Sequence, residues 1–198
     1  MTTLTHPGAR EWLASAATWR CFSLCFRLPT EESRAGLIAL GPELTEELRE
    51  LVSALAEVPL DAWEEEYHRV LGPGCIPACE SSYDDNALAG RGPLLADVRG
   101  FYEAFAYQPP ELPAELPDHL AVQLDFLSFL AVKCAFALHE GREAEARIAQ
   151  EAYEKFAAQH LRNWLPRFHD ALNRSASSLY LGVSSSLCRC ALDSPDAT

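Results

Sequence analysis

The segment from Leu120 to about Leu138 is apolar on nearly every side and constrains the fold more than any other part of the chain. A helix that is hydrophobic all round must be buried, so the remaining segments are expected to pack around it. Its most apolar run, Phe126 to Leu138, contains Lys133 and has thirteen residues, whereas a membrane-spanning helix needs about 20. We therefore predict a central core helix and no stable membrane insertion.

The spacing of apolar residues is helical along almost the whole chain. In the first helical segment they recur at steps of three and four, on one helix face, at Trp12, Ala16, Trp19, Phe22 and Phe26. The same period continues in the segments 42–58, 61–71, 93–107 and 145–172, and no long stretch alternates polar and apolar residues as a strand would. The sequence therefore predicts an all-α fold, a single-domain bundle of about eight to ten helices.

Prolines and capping residues predict where individual helices begin and end. Pro29 should end the first helix and Thr30 should cap the second, while Asp61 is the expected cap of a later helix. In the last long segment, Pro166 should kink or split the helix. Ile148 belongs to the stripe of that segment that is predicted to face inward.

A proline-rich segment divides the chain into two helical halves. Four prolines lie between Gln108 and Asp118. We expect one domain, residues 1–198, with an N-terminal half at 1–107, a hinge at 108–118 and a C-terminal half at 119–198. Because the apolar faces of the two halves need each other, such a hinge can also let one half pack on a neighbouring chain. The expected assembly is a monomer or a domain-swapped homodimer.

Charge and cysteine content narrow the classes of partner and the compartment. The chain carries 29 acidic and 16 basic residues among 198, a net charge of −13. Nucleic-acid binding is not expected, because it depends on contacts between Lys or Arg side chains and phosphates. A basic peptide is a better partner for a surface with a negative electrostatic potential. Seven cysteines, an odd number, and the lack of a basic-then-apolar pattern at the N-terminus predict a cytoplasmic protein with free thiols.

Asp118 and His119 stand directly before the apolar helix, and three interpretations compete for them: a helix cap, a catalytic dyad or a recognition site. Neighbouring helical residues point about 100° apart, so Asp118 is poorly placed to orient His119 as a catalytic triad requires. The chain also lacks a G-x-S-x-G elbow, an H-E-x-x-H metal motif and a Walker-type phosphate loop. We therefore predict no enzyme activity and no catalytic residue.

The cysteines leave one alternative function open. Cys21 and Cys25 are four positions apart, as are Cys75 and Cys79, and four thiolates can build a tetrahedral metal site. Cys21 and Cys25 lie within an apolar helix, however, where free cysteines are commonly buried. The favoured expectation is no metal and no cofactor. The alternative is a small helical metal- or cofactor-binding protein that uses the two pairs.

Several short motifs occur in an order that resembles a known family. Between residues 60 and 168 they are Glu66-Tyr67, Gly72-Pro73, Glu80-Ser81 with Tyr83, Phe101-Tyr102 with Phe105, Pro117-Asp118-His119, and His160-Leu161 with Trp164. The series is similar to that of the TorD/DmsD/NarJ-type family of cytoplasmic molybdoenzyme maturation chaperones, the redox enzyme maturation proteins. Val70-Leu71 and Ala106-Tyr107 depart from the family pattern, which usually has Leu-Phe and commonly Gly-Leu at these places.

The resemblance implies a non-enzymatic, client-specific chaperone. Family members bind the twin-arginine signal peptide of a molybdopterin-containing oxidoreductase, or its apo-form, until cofactor insertion is complete, and they delay export meanwhile. The implied partner is the catalytic subunit of a molybdenum-containing oxidoreductase together with its leader. The expected client-binding residues are Glu66, Tyr67, Leu71, Glu80, Ser81, Tyr83, Pro117, Asp118 and His119.

The chemistry of such a leader agrees with these residue types. A basic, apolar peptide needs an apolar groove between helices and acidic groups for its arginines. Asp118, Glu66 and Glu80 are the candidate arginine acceptors, and His119 and Tyr67 are expected to offer hydrogen bonds at the rim. By this interpretation, Asp118 and His119 precede the apolar helix because a peptide meets them there.

Overall fold

Nine α-helices follow one another along the chain in the computed structural model, which describes residues 7–84, 90–109, 116–175 and 177–192. They are α1 (Pro7–Cys25), α2 (Glu31–Leu40), α3 (Glu46–Ala56), α4 (Leu60–Leu71), α5 (Gly92–Ala104), α6 (Leu120–His139), α7 (Glu143–His160), α8 (Leu165–Asn173) and α9 (Ser178–Leu192). Two short 3-10 helices, Gly41–Glu43 and Glu80–Ser82, and one isolated bridge between Cys79 and His119 complete the regular structure of these residues. The all-α prediction and the predicted number of helices are confirmed.

Helix α6 lies at the centre of the bundle, as its composition predicts. It packs against α1 and against α7. The hydroxyl of Ser128 donates to the carbonyl of Ala16, and the hydroxyl of Ser23 donates to the carbonyl of Ala121, each at 2.8 Å. Because the later residue of α1 meets the earlier residue of α6, the two helices run antiparallel.

The length of α6 corrects one sequence argument. With 20 residues, the helix is long and apolar enough to cross a membrane, so the limit drawn from its thirteen most apolar residues is wrong. Burial gives the better reason to place it in the core, because 72% of its most apolar window is buried inside the fold. Among the helices of the described residues, α6 is the one that reaches this length and apolarity.

Aromatic rings from α5 and α7 meet α6 in the core. The ring centroid of Phe126 lies 4.8 Å from that of Tyr102, 4.8 Å from that of Phe156 and 5.1 Å from that of Tyr107. Phe126 and Phe156 are completely buried. Aromatic pairs of this kind each contribute about 0.5–1.5 kcal/mol beyond the area they bury. The cluster therefore fixes α5 and α7 on α6.

Most of the predicted helix boundaries are confirmed. Helix α1 ends before Pro29, and Thr30 caps α2 with its side-chain oxygen. Helix α7 ends at His160, and Pro166 stands in the first turn of α8, where its missing N–H costs nothing. Pro166 therefore splits the last long segment rather than kinking it.

Two local predictions are wrong. Asp61 does not cap α4, because the helix begins one residue earlier, at Leu60, with Pro59 in the capping position. Ile148 does not face inward but is 58% exposed, because α7 presents the small side chain of Ala146 to the core. In both cases the local sequence is compatible with a helix start or a buried face that is shifted by one or two residues. Packing against the rest of the fold selects the arrangement that is observed.

The predicted hinge, residues 108–118, lies partly outside the described residues, which omit 110–115. The parts of the chain before and after it are joined by backbone hydrogen bonds. The N–H of Glu80 donates to the carbonyl of Asp118 at 3.0 Å, and the N–H of Leu120 donates to the carbonyl of Ala78 at 2.7 Å. The division into two halves and their exchange between chains stay predictions.

Helix α5 ends in a Schellman turn whose left-handed residue is an alanine. The N–H of Tyr107 donates to the carbonyl of Tyr102 at 2.8 Å, and the N–H of Ala106 donates to the carbonyl of Glu103 at 3.1 Å. Ala106 has a φ of +52°, a conformation in which glycine is favoured because it has no Cβ. The departure from glycine at this place in the family pattern therefore has a conformational cost.

Candidate functional site

Asp118 joins the loop that follows α4 to the start of α6. It is fully buried, and its Oδ2 atom accepts a hydrogen bond of 2.9 Å from the backbone N–H of Ser81. The carboxylate thus satisfies an N–H group in the 3-10 helix Glu80–Ser82 and fixes the position of that turn. Because Asp118 has no solvent-accessible surface, an arginine of a client does not reach it in this conformation.

His119 caps α6 and is not an exposed rim residue. Its Nδ1 atom accepts a hydrogen bond of 3.2 Å from the N–H of Ala121, and the residue is 9% exposed. Burial lowers the pKa of His119 to about 4, with Asp118 opposing the shift and Arg27 adding to it. The imidazole is therefore neutral near pH 7, as its acceptor role requires. Just before it, the carbonyl of Pro117 accepts a hydrogen bond of 2.8 Å from the hydroxyl of Tyr102.

Glu80 is a buried carboxylate held by side chains of two helices. The Nε2 atom of Gln123, on α6, donates to Oε2 at 2.5 Å, and Nδ1 of His160, on α7, lies 3.2 Å from both carboxylate oxygens. Burial raises the pKa of Glu80, although His160 and Gln123 act in the opposite direction. Its carboxylate is therefore engaged within the fold and is not an open acceptor for arginine.

His160 connects Glu80 to a second carboxylate. Its Nε2 atom lies 3.1 Å from Oδ2 of Asp97, on α5. A single imidazole thus contacts two carboxyl groups, one through each ring nitrogen, in the row Glu80–His160–Asp97. The side chain of Asp97 is 64% exposed and forms the accessible end of the row.

An open cleft of about 690 Å³ lies beside this row and exposes its Asp97 end to solvent. Its lining includes three carboxylates, a tyrosine, a tryptophan and an arginine, namely Glu80, Asp84, Asp97, Tyr83, Trp164 and Arg167. The elements that contribute them are the 3-10 turn and its following residues, α5 and the α7–α8 region. The cleft combines acidic groups with aromatic surface, which is the combination that a basic and apolar peptide requires.

Stacking and hydrogen bonds hold the aromatic wall of the cleft, in which Tyr83 is half-buried and Trp164 is buried. The rings of Tyr83 and Trp164 are stacked, with centroids 5.3 Å apart. The hydroxyl of Tyr83 donates to the carbonyl of Pro77 at 2.9 Å, and Nε1 of Trp164 donates to the carbonyl of His160 at 2.7 Å. Burial raises the pKa of Tyr83 to about 12, so the hydroxyl keeps its proton. Arg167 covers the wall, with its guanidinium 5.9 Å from the centre of the Tyr83 ring.

Glu66, a candidate arginine acceptor on α4, already has an arginine within the chain. Nε and Nη2 of Arg69 each donate to its carboxylate at 2.7 Å, and the hydroxyl of Ser177 donates at 2.5 Å. The hydrogen bond from Arg69 is the main reason why the pKa of Glu66 is lowered. Tyr67 and Leu71 are half-buried and pack against the edge of the core.

The structure brings some of the predicted site residues together and leaves others apart. Two of them, Glu80 and Tyr83, line the cleft. Those that hold the turn carrying Glu80, or join it to α6, are Ser81, Asp118 and His119, while Pro117 accepts a hydrogen bond from Tyr102 on α5. Those on α4, outside the cleft lining, are Glu66, Tyr67 and Leu71. A role in client binding stays a prediction for all nine.

The sequence interpretation missed Asp97 and Arg167 and treated His160 only as a core residue. His160 is indeed buried and hydrogen-bonded, but its second ring nitrogen faces the cleft-lining Asp97. The motif that contains His160 and Trp164 is the signal that could have found this wall. A single carboxylate on an amphipathic helix carries no comparable signal for Asp97.

Thiol chemistry does not support the cysteine-based alternative. Cys21 and Cys25 are buried in α1, and the hydrogen bond between them, together with burial, raises the pKa of Cys25 well above its usual value. Metal binding needs thiolates, which a raised pKa disfavours. Within the four described ranges, no group of three or more His, Cys, Asp or Glu side chains is placed to hold a metal ion.

The fold is shared with a structurally characterised class, the redox enzyme maturation proteins. A crystal structure from Archaeoglobus fulgidus that carries this description matches with a TM-score of 0.64 at 18% identity. The match covers 90% of this chain and 94% of that chain. At this identity the likeness establishes the fold alone.

The family follows from the sequence itself. The profile of the nitrate reductase delta subunit family matches residues 39–170, which is more than half of the 198 residues and includes the described cleft lining. The chain belongs to the nitrate reductase delta subunit family, and the resemblance drawn from the short motifs is confirmed.

The curated relatives are named as chaperones. The selenate reductase assembly chaperone of Thauera selenatis is 37% identical over 89 residues, and the chlorate reductase assembly chaperone of Ideonella dechloratans is 36% identical over 89 residues. Both alignments cover 45% of this chain and 45% of the relative. The chaperone protein TorD of Vibrio cholerae is 35% identical over 88 residues, covering 44% and 38%. The chain thus spans less than half the length of the curated relatives it matches.

Proposed function

We propose that the protein is a client-specific cytoplasmic chaperone for a molybdenum-containing oxidoreductase. It binds the twin-arginine signal peptide of the catalytic subunit, the apo-form of that subunit, or both. It assists cofactor insertion and delays export until maturation is complete, and it is not an enzyme. The names of the relatives, which are assembly chaperones for selenate and chlorate reductases, support this class of function.

The observation that carries the proposal is the cleft beside the Glu80–His160–Asp97 row. It offers an accessible carboxylate on Asp97 and the half-buried ring of Tyr83, which stacks on the buried ring of Trp164. A twin-arginine leader is basic and apolar, so its cations and its apolar side chains find complementary groups in one place.

The charge of the whole chain favours the same partner. A net charge of −13 attracts a basic segment over a distance and repels nucleic acid. The attraction between exposed charges falls off over about 8 Å at physiological ionic strength. Stable membrane insertion is not part of the proposal, and the expected assembly is a monomer or a domain-swapped homodimer.

Capture of the client by the tagged protein in its native host tests the proposal. When cofactor synthesis is blocked, we expect the protein to retain the apo-form of an oxidoreductase catalytic subunit with its leader, identified by mass spectrometry. Leu94→Lys places a cation in the cleft lining and should abolish retention, whereas Leu28→Lys changes an exposed leucine outside that lining and should not. Retention of no molybdenum oxidoreductase subunit, or equal retention by both variants, would contradict the proposal.

A further inference from the structure

Asp97 differs from the other carboxylate of its hydrogen-bonded row in accessibility. Its side chain is 64% exposed, whereas those of His160 and Glu80 are 5% and 9% exposed. Among the described residues its one polar contact is His160, so its Oδ1 atom is open to the cleft. A cation that enters the cleft can therefore reach Asp97 without displacing any of these contacts.

The carboxylate of Asp97 is also held in place. Nε2 of His160 lies 3.1 Å from its Oδ2 atom, and Nδ1 of the same ring is fixed 3.2 Å from Glu80. The carbonyl of His160 accepts the indole N–H of Trp164, and Gln123 holds Glu80 from α6. The imidazole is thus restrained on both sides, and its Nε2 atom anchors one oxygen of the Asp97 carboxylate, Oδ2.

A neighbouring amide adds an acceptor to the cleft. Asn163 lines the cleft, and its Nδ2 atom donates to the carbonyl of Gln159 at 3.1 Å. Its amide oxygen is therefore left to accept a hydrogen bond from a ligand. Together with Oδ1 of Asp97, the cleft offers acceptors for a ligand with several N–H groups.

We propose that Asp97 selects arginine over lysine in the client peptide, and that His160 is the positioning residue on which this selectivity depends. The inference rests on the proposed function and adds the residue that reads the guanidinium group. A guanidinium is a planar fork of five donors that matches a carboxylate of fixed orientation, whereas an ammonium is a compact point charge. Net charge alone attracts both cations, so the preference comes from the fixed carboxylate.

Calorimetric titration of two synthetic peptides tests the inference. One carries two adjacent arginines before an apolar stretch, and the other carries two lysines in their place. The wild-type protein should bind the arginine peptide about ten- to hundredfold more tightly, the range of a charge-assisted hydrogen bond. Asp97→Asn should bring the ratio of the two affinities close to one. Glu103→Gln, an equal loss of charge at an exposed position of α5 outside the cleft lining, should leave the ratio unchanged.

His160→Gln separates positioning from simple structural support. If His160 orients Asp97, this variant should keep the affinity for the lysine peptide and lose most of the preference for arginine. A purely structural role would weaken both peptides together and leave their ratio unchanged, which would overturn the role of His160. An unchanged ratio in Asp97→Asn would overturn the whole inference while the proposed function stands.

A second measurement covers the case in which neither peptide binds the wild-type protein, an outcome that would count against the proposed function. N-acetyl-arginine amide and N-acetyl-lysine amide are then titrated into ¹⁵N-labelled protein. Selective shifts of the Asp97 amide and the Trp164 indole with the arginine compound would uphold the assignment of Asp97. Equal shifts with both compounds, or none, would overturn it.

Discussion

The carboxylate of Asp118 accepts a hydrogen bond of 2.9 Å from the backbone N–H of Ser81, 37 residues earlier in the chain. The contact ties the last residue of the predicted hinge to the 3-10 turn that carries Glu80. His119, the next residue, caps α6 with Nδ1. In this structure Asp118 and His119 are buried and support the turn that carries Glu80, whereas Asp97 forms the accessible end of the row in the cleft.

Asp118→Asn is expected to lower the free energy of unfolding by about 1–3 kcal/mol, because a buried charge-assisted hydrogen bond becomes a neutral one and an amide N–H₂ is left to find a partner. Urea denaturation measures the change. Asp61→Asn, at an exposed position in the first turn of α4, should cost no more than about 0.5 kcal/mol. Unchanged stability in Asp118→Asn combined with lost client binding would return Asp118 to direct recognition.

His119 predicts a specific pH dependence of stability. Its folded-state pKa of about 4 lies below the ordinary value of 6.5, because burial disfavours the charged form. Between these values the unfolded chain binds the proton and the folded chain does not. The contribution of neutral His119 to the free energy of unfolding is therefore complete above pH 6.5. It is lost as the pH falls toward 4, by up to about 3 kcal/mol.

The variant His119→Asn isolates the contribution of His119 to the pH dependence of stability. Asparagine is a favourable helix cap and does not titrate, so its stability should change less between pH 6.5 and 4 than that of the wild type. Equilibrium denaturation at several pH values gives the two curves. Parallel curves would show that His119 is not buried in its neutral form.

Ala106→Gly is expected to stabilise the protein. Ala106 is exposed and has a φ of +52°, so the substitution removes strain at the end of α5 without losing a core contact. The net gain should be about 0.5–1 kcal/mol, the relief of the left-handed conformation less the greater entropy of an unfolded glycine. Ala96→Gly, at an exposed position inside α5, should instead cost about 1 kcal/mol. If thermal melts showed the same loss of stability in both variants, the backbone of Ala106 would not be strained.

Exchange of halves between chains remains the expected route to a dimer. A swapped dimer would keep the contacts that join the halves, such as those of Ser23 with Ala121 and of Glu80 with Asp118, but would form them between chains. Size-exclusion chromatography with light scattering should show monomer and dimer that interconvert slowly. A monomer at every concentration, including after partial unfolding and refolding, would argue against the exchange.

Local features of the sequence were enough to predict much of the fold. Thr30 and Pro166 act through the backbone next to them, and α6 is apolar on so many sides that only a core position satisfies it. These predictions depend on short-range chemistry, which a single sequence records. Ile148 shows the limit, because the stripe on α7 is broad and packing against α6 selects one edge of it.

The site was harder to predict because its geometry depends on distant residues. Asp118 precedes an apolar helix, and nothing near it in the sequence indicates that Ser81 will bury its carboxylate. Asp97 is one acid among 29, and its role in the cleft depends on a histidine 63 residues later. The order of short motifs along the sequence indicated the family. Only the folded structure shows which acidic side chain is accessible in the cleft.

Titration of a twin-arginine leader peptide into the wild-type protein at rising ionic strength shows whether the chain binds a basic leader through its acidic groups. We expect saturable binding of one peptide per chain, with an affinity that falls as salt screens the cleft carboxylates and the net charge of −13. Arg167→Gln, which removes a cation from the cleft lining, should strengthen binding at low salt. The absence of binding, or an affinity that neither salt nor Arg167→Gln changes, would contradict the account.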